Sequence, residues 1–251
     1  MASASQAVTA TRSHRPFTGR NGLVDKYFYF AMALLLPALV VWGFSHTADA
    51  NLFHAAVPRP TILWFHAAAF SLWLVFFLLQ SLLVRTHHVV WHRTLGWFGL
   101  ALGVIMIVLG DATAVVMGRF DTRILHQAGT DVFEFISFYD MFIFTIWLAL
   151  GIYWRRKPEL HRRVFFIATC CLIGAAFGRV PWLVTQTYNL SYACVDAVIL
   201  LGVVRDLLVN RRIHKLYLVA LPLLAVSQAI TVRILATPPA WWVALAHKIF
   251  A

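Results

Sequence analysis

Seven stretches of this 251-residue chain stay apolar long enough to cross a hydrocarbon core of about 30 Å, which takes roughly 20 residues of helix. They are 27–46, 61–84, 95–117, 132–153, 164–184, 189–208 and 214–236. The pattern predicts an all-α, seven-helix transmembrane bundle over 27–236. Residues 1–26 read as a cytoplasmic N-terminal tail and 237–251 as a short outer C-terminal tail. The sixth stretch is the most interrupted, by Asp196 and Arg205. Ala48-Asp49-Ala50 resembles a small-residue cleavage site. The apolar run before it is about 19 residues, longer than the 7–15 of a signal sequence, so the first stretch reads as an uncleaved helix. The Ser/Thr/Arg-rich tail has the composition of a transit peptide, but a plain cytoplasmic tail is the simpler reading.

Between the stretches the basic residues alternate in number. The N-terminal segment and the second, fourth and sixth connections hold fifteen Lys and Arg, among them Arg85, Arg93, Arg155, Arg156, Arg162, Arg163, Arg205, Arg211 and Lys215. The other side holds four: Arg59, Arg119, Arg123 and Lys248. Cytoplasmic loops carry the excess of Lys and Arg, so the N-terminus is expected inside and the C-terminus outside. The composition agrees: 61% hydrophobic and 12% charged, against about 45–50% and about 25% in soluble domains. That excludes disorder, a basic nucleic-acid-binding domain and an ordinary cytosolic enzyme. The net charge of +11 then reports orientation, and the first partner is the lipid bilayer.

Three inward-lying connections end in His92-Arg93, His161-Arg162 and His214-Lys215. Asp111, Arg179 and Arg233 follow 18 or 19 residues later, a pattern consistent with one helix plus three repeated hairpins. The basic pairs suit phosphate-level snorkelling; the alternative is a metal or haem cluster of His87, His88, His92, His161 and His214. Gly96, Gly103 and Gly110 form a stripe, and Gly174 and Gly178 a GxxxG, both marks of close helix packing. Pro37, Pro181 and Pro222 are candidate kinks. Cys170 and Cys171 differ in depth from Cys194 by roughly 10 Å of helical rise, too far for a disulfide.

Ionisable groups within spans are costly and usually face a cavity or a partner. Here they are Asp111, Glu134, Asp140, Asp196, Arg179 and Arg233, joined by His66 and Gln228. All fall in the outer half, about 3–12 Å below the surface by helical rise. With Tyr139, Tyr188 and Tyr192 they would line an outward-facing polar pocket. Four readings follow. Asp111 with Arg179 and Asp196 with Arg233 could be structural ion pairs. The carboxylates could bind or relay a proton or small molecule. His66, Asp111 and Glu134, with His126, are ligand types for a zinc- or iron-like ion, though no HExxH supports them. A carboxylic acid could serve acid–base catalysis on a lipid or isoprenoid. An accessory subunit of a membrane complex, binding metal or haem or neither, would need only the apolar surface. A retinal protein is excluded, since Lys26, Lys157, Lys215 and Lys248 all lie outside the spans. Nothing in the residues names a cofactor.

Residues 91–110 (WHRTLGWFGLALGVIMIVLG) and 155–179 (RRKPELHRRVFFIATCCLIGAAFGR) resemble a loosely defined group of uncharacterised bacterial multi-pass membrane proteins. That group shares an H-R-x-L-G and an R-R-x-P-x-x-H-[KR]-R helix opening. The matching positions are His92, Arg93, Leu95 and Gly96, then Arg155, Arg156, Pro158, His161, Arg162, Arg163 and Arg179. The resemblance implies the bacterial inner membrane. A fainter similarity to cytochrome b561-like proteins rests on the His-Arg helix starts. It departs from them in that His66 is the sole histidine well inside a span.

Overall fold

A computed structural model describes residues 20–127, 129–184 and 188–250. Among these residues the chain is helical throughout, with no strand. The long helices are α1 (Arg20–Ser45), α2 (Ile62–Arg85), α3 (Val89–Arg123), α5 (Phe135–Tyr153), α6 (Pro158–Leu172), α9 (Tyr188–Asn210) and α10 (Lys215–Ala236). A single turn α4 (Thr130–Phe133) precedes α5, short α7 (Gly174–Phe177) and α8 (Pro181–Val184) follow α6, and α11 (Ala240–Phe250) ends the chain. A π-helical turn, Asp49–Phe53, lies between α1 and α2.

Among the described residues six helical segments are long and apolar enough to cross a membrane: Gly22–Ser45, Ile62–Arg85, Val89–Arg123, Thr130–Tyr153, Pro158–Phe177 and Lys215–Ala236. Helix α9 has 23 residues but carries Asp196, Arg205 and Asp206. The surface shows which solvent the fold is built for. Val41, Phe65, Val75, Val90, Trp97, Val108, Phe142, Leu223 and Val226 are all exposed along the long helices. Water-soluble monomers rarely expose contiguous apolar patches of such extent. A multi-pass membrane protein with lipid around it removes that cost.

Helix α6 is the middle of the bundle. Arg163, Val164 and Phe166 to Cys171 are all buried, because α1, α5 and α9 pack around it. Trp73 of α2 donates from Nε1 to Thr169 Oγ1 at 3.3 Å across this core. The antiparallel hairpins α2–α3 and α5–α6 make the most extensive contacts, with α3 against α5 and α9 against α10. One end of the bundle collects Arg85, Arg93, Arg155, Arg156, Arg211 and Lys215, at the α2–α3, α5–α6 and α9–α10 connections; it is the basic end below. The far end carries α4, α7, α8 and α11.

Several boundaries differ from those predicted. Helix α6 begins at Pro158, six residues before the expected span. Proline at the first helical position costs nothing there, since its missing N–H would be unsatisfied anyway. The expected fifth span, 164–184, is broken at Ile173 and again before Pro181, whose ring disfavours helix for the preceding residue. Helix α3 runs 35 residues, about 52 Å, well beyond the hydrocarbon thickness, and emerges at the far end. Residues 237–251, read as a tail, contain a docked helix. Trp242 is buried and donates to the Val132 carbonyl at 2.9 Å, whereas Trp241 stays exposed.

In the α3 stripe Gly103 and Gly110 sit in close helix contacts as expected, Gly110 against Met141, and Gly96 does not. A Cβ on Gly103 would lie 2.7 Å from Leu148 of α5, while one on Gly96 would meet nothing within 4 Å. Gly103→Val should therefore destabilise the protein by about 1–3 kcal/mol through overpacking, and Gly96→Val should not. Thermal unfolding in detergent micelles separates the two; equal midpoints would refute the α3–α5 contact.

Candidate functional site

Two clusters of polar side chains lie within the helical bundle, and the sequence pattern pointed to only one. The other sits at the basic end. Arg163 and Asp206 are each 0% exposed, and Arg205 1%. Arg163 donates from Nε to Asp206 Oδ2 at 3.1 Å and from Nη2 to Oδ1 at 2.6 Å. Arg205 donates to Asp206 Oδ1 at 2.6 Å and also to Asp25 of α1. Arg163 further binds the Glu159 carboxylate at 2.6 Å and its carbonyl at 2.7 Å. One buried carboxylate thus receives two guanidinium groups, and two half-exposed acids together with Arg162 complete the charge balance. Bidentate Arg–carboxylate pairing is the geometry that best offsets desolvation. The network joins α1, α6 and α9. These residues read from the sequence as loop charges marking orientation. The signal that could have found them is helical spacing: Arg205 and Asp206 stand within the same amphipathic run as Asp196, and Glu159 and Arg163 stand four apart.

Beside this network, His214 caps α10. Its Nδ1 accepts from the Leu216 N–H at 3.1 Å, which requires a neutral ring. Burial lowers the His214 pKa below its ordinary value, and the Arg163 guanidinium lowers it further. His92 and His161 meet edge-on, with ring centroids 6.1 Å apart, and His161 Nδ1 bonds the Gly151 carbonyl at 2.9 Å. The five histidines considered together in the sequence therefore separate, with His92 and His161 in contact and His214 used as a cap.

The second cluster is nearer the far end, among α5, α6, α9 and α10. Tyr192 donates to Asp140 Oδ1 at 3.1 Å, and Gln228 Nε2 donates to Asp196 Oδ1 at 3.2 Å. Tyr139 and Ser227 share a hydroxyl bond of 2.8 Å. The Tyr139 and Tyr192 rings stand edge to face, 5.9 Å apart. A cavity of about 10 Å³ lies between them, lined by Tyr139, Asp140, Cys171, Tyr192, Leu224 and Gln228 among others. That volume is about one water molecule's worth. None of the ion pairs among the described residues includes Asp140 or Asp196. The periodicity of α5 and α9 brings these groups inward, and their hydrogen-bond partners are neutral.

The remaining candidate residues lie elsewhere. Neither expected ion pair, Asp111 with Arg179 or Asp196 with Arg233, is among those of the described residues. Arg179 instead donates to the Ala175 carbonyl at 2.5 Å and lies 4.1 Å from the Phe44 ring. His66 stacks on Phe70 at 4.0 Å, with its Nδ1 buried and without a partner among the described residues. Asp111 is half-buried on α3 and Arg233 is exposed at the end of α10. Glu134, 8% exposed, sits beneath α11. The Tyr188 side chain lies outside the described residues. Among the described residues no three His, Cys, Asp or Glu side chains converge as a metal ligand set, so His66, Asp111 and Glu134 are not brought together as one, and His126 is exposed on the loop after α3. Among the described residues no hydrogen bond links His66, Asp111, Glu134 or Arg179 to the Asp140–Asp196 cluster.

No protein-family model, curated protein or solved structure matches this chain.

Two outcomes follow from the basic-end network. Asp206→Ala leaves two buried guanidinium groups with only the half-exposed acids Glu159 and Asp25 as partners and should destabilise by about 3–5 kcal/mol. Arg162→Ala, which removes a rim pair with Glu159, should change stability by less than about 1 kcal/mol; similar losses in micelle unfolding would show that the network does not bear on stability. Because the folded protein favours neutral His214, protonation in the unfolded chain draws the equilibrium toward unfolding. Stability should rise with pH through the window from the lowered folded pKa up to about 6.5. His214→Asn keeps a capping side chain and should flatten that part of the Tm–pH curve relative to the unaltered protein.

Proposed function

We propose that this chain is a seven-span inner-membrane protein of bacterial type, with its N-terminus cytoplasmic and its C-terminus outside. In this reading α9 is the seventh crossing, and its polar groups are carried inward by the bundle. Its function is to bind and exchange a proton, or a ligand no larger than a water molecule, at the Asp140–Asp196 cluster. The observation that carries the reading is the pairing of two span carboxylates with neutral donors, one of them, Asp140, lining a one-water cavity. Carboxylates inside a membrane that lack a basic partner are the usual groups of proton relays. A water between Tyr139, Asp140, Tyr192 and Gln228 would give the proton a hydrogen-bonded route.

The size of the cavity favours a proton over a lipid or isoprenoid substrate. An acid–base enzyme acting on such a substrate needs an apolar chamber beside its carboxylate. The space at Asp140 is about 10 Å³, too small for an acyl or prenyl chain.

Infrared difference spectroscopy of reconstituted protein across a pH series tests the proposal. A carboxylic C=O band should titrate in the unaltered protein, be absent in Asp140→Asn, and be shifted in Asp196→Asn. Spectra identical in all three, or variants that lose only stability, would overturn it.

A further inference from the structure

A second buried carboxylate stands apart from the cluster above. Glu134 joins α4 to α5 at the far end. It is 8% exposed, and its Oε2 has no hydrogen-bond partner among the described residues. What covers it is α11. The Phe250 ring and the Glu134 side chain meet over Gly118 of α3: a Cβ there would lie 2.6 Å from Phe250 and 3.1 Å from Glu134 Cγ. Phe250 and Ala246 are both 0% exposed. With Trp242 they form a small core of their own, packed against Val132, Phe135, Phe138 and Ile234 and separate from the main core of the bundle.

Three polar contacts hold α11 down. Trp242 donates to the Val132 carbonyl at 2.9 Å, Arg119 Nε donates to the Ile249 carbonyl at 2.7 Å, and His247 Nδ1 lies 3.1 Å from Asp131 Oδ2. The helix touches α3 and α4 and no long helix besides α3 to comparable extent. It can leave without opening the bundle.

An ionised carboxylate buried against a phenyl ring with one hydroxyl donor, that of Ser137, and a second oxygen without any is unfavourable; a neutral acid in that place is not. The charged groups around Glu134 do not alter this. On α3, Asp121 is of like sign and is already paired with Arg59 at 3.2 Å, Arg119 is committed to Ile249, and Arg123 is exposed. On α4, Asp131 is paired with His247. On α5 the Ser137 hydroxyl bonds the Glu134 carboxylate, a neutral donor that offsets only part of the cost of burial. On α11, Lys248 is exposed, as is Arg233 at the end of α10. The His247–Asp131 contact is strongest with His247 protonated.

We propose that Glu134 is a second proton-binding site and that α11 is its cap: loss of the Glu134 proton unseats Phe250 and undocks α11. The inference does not rest on Asp140 or Asp196. Hydrogen–deuterium exchange of residues 240–250, expressed as protection relative to an unstructured peptide at each pH, tests it in the purified full chain. Protection should fall with rising pH, approaching tenfold per pH unit for each linked proton once that proton is lost. Glu134→Gln should abolish that fall. The main-core helices should keep constant protection throughout. A pH-independent α11 in the unaltered protein would overturn the proposal, whatever the variants do. So would a Glu134→Gln profile that follows the unaltered one.

Discussion

At the basic end, Asp206 receives guanidinium groups from Arg163 and Arg205, and all three are withdrawn from solvent. Three helices far apart in the chain are bound at this point, α1 through Asp25, α6 through Arg163 and α9 through Arg205 and Asp206. In lipid there is little hydrophobic gain from bringing helices together, because the surrounding tails are as apolar as the side chains. Polar contacts and close packing then decide which helices are neighbours. A buried pair of this kind adds little net stability, but it is costly to leave half-made. It selects one arrangement by penalising the others. The central position of α6, on which the rest of the core packs, follows from that selection.

The same reasoning separates the two halves of the molecule. At the basic end every buried charge has an opposite charge against it, which suits a fixed joint. Toward the far end Asp140 and Asp196 have neutral partners, and Glu134 Oε2 has none among the described residues. Groups held that way can change protonation without a counter-ion being stranded. The breaks between α6, α7 and α8, and the separately packed α11, lie at this end too. Rigidity and polar adaptability are thus divided between the ends of one bundle.

Much of the architecture was legible in the residues. Six of the seven predicted spans correspond to helices long and apolar enough to cross a membrane, and the seventh to α9, because an apolar run of about 20 residues has few other solutions. Asp140 and Asp196 could be singled out because a carboxylate in such a run is conspicuous. Their partners could not be. Tyr192 and Gln228 are unremarkable in sequence, and only the rotation of α9 and α10 about their axes aims them at those acids. Arg163, Arg205 and Asp206 were hidden by the opposite effect. They sit near span ends, where basic residues are ordinarily solvated, and their burial depends on α6 starting before the apolar pattern does and on the rotation of α9 about its axis. For α11 the apolar residues are too few to mark a span, and its packing against Gly118 and Val132 is long-range.

The sequence by itself determined the solvent, the secondary structure and the approximate helix ends, since these depend on local hydrophobicity and on proline and glycine, which act within a few residues. Only the tertiary structure decided which charges are paired, which carboxylates stand among neutral groups, and what covers Glu134. Those properties are set by helix rotation and neighbour choice over separations such as the 130 residues between Arg119 and Ile249. No periodicity along the chain encodes them.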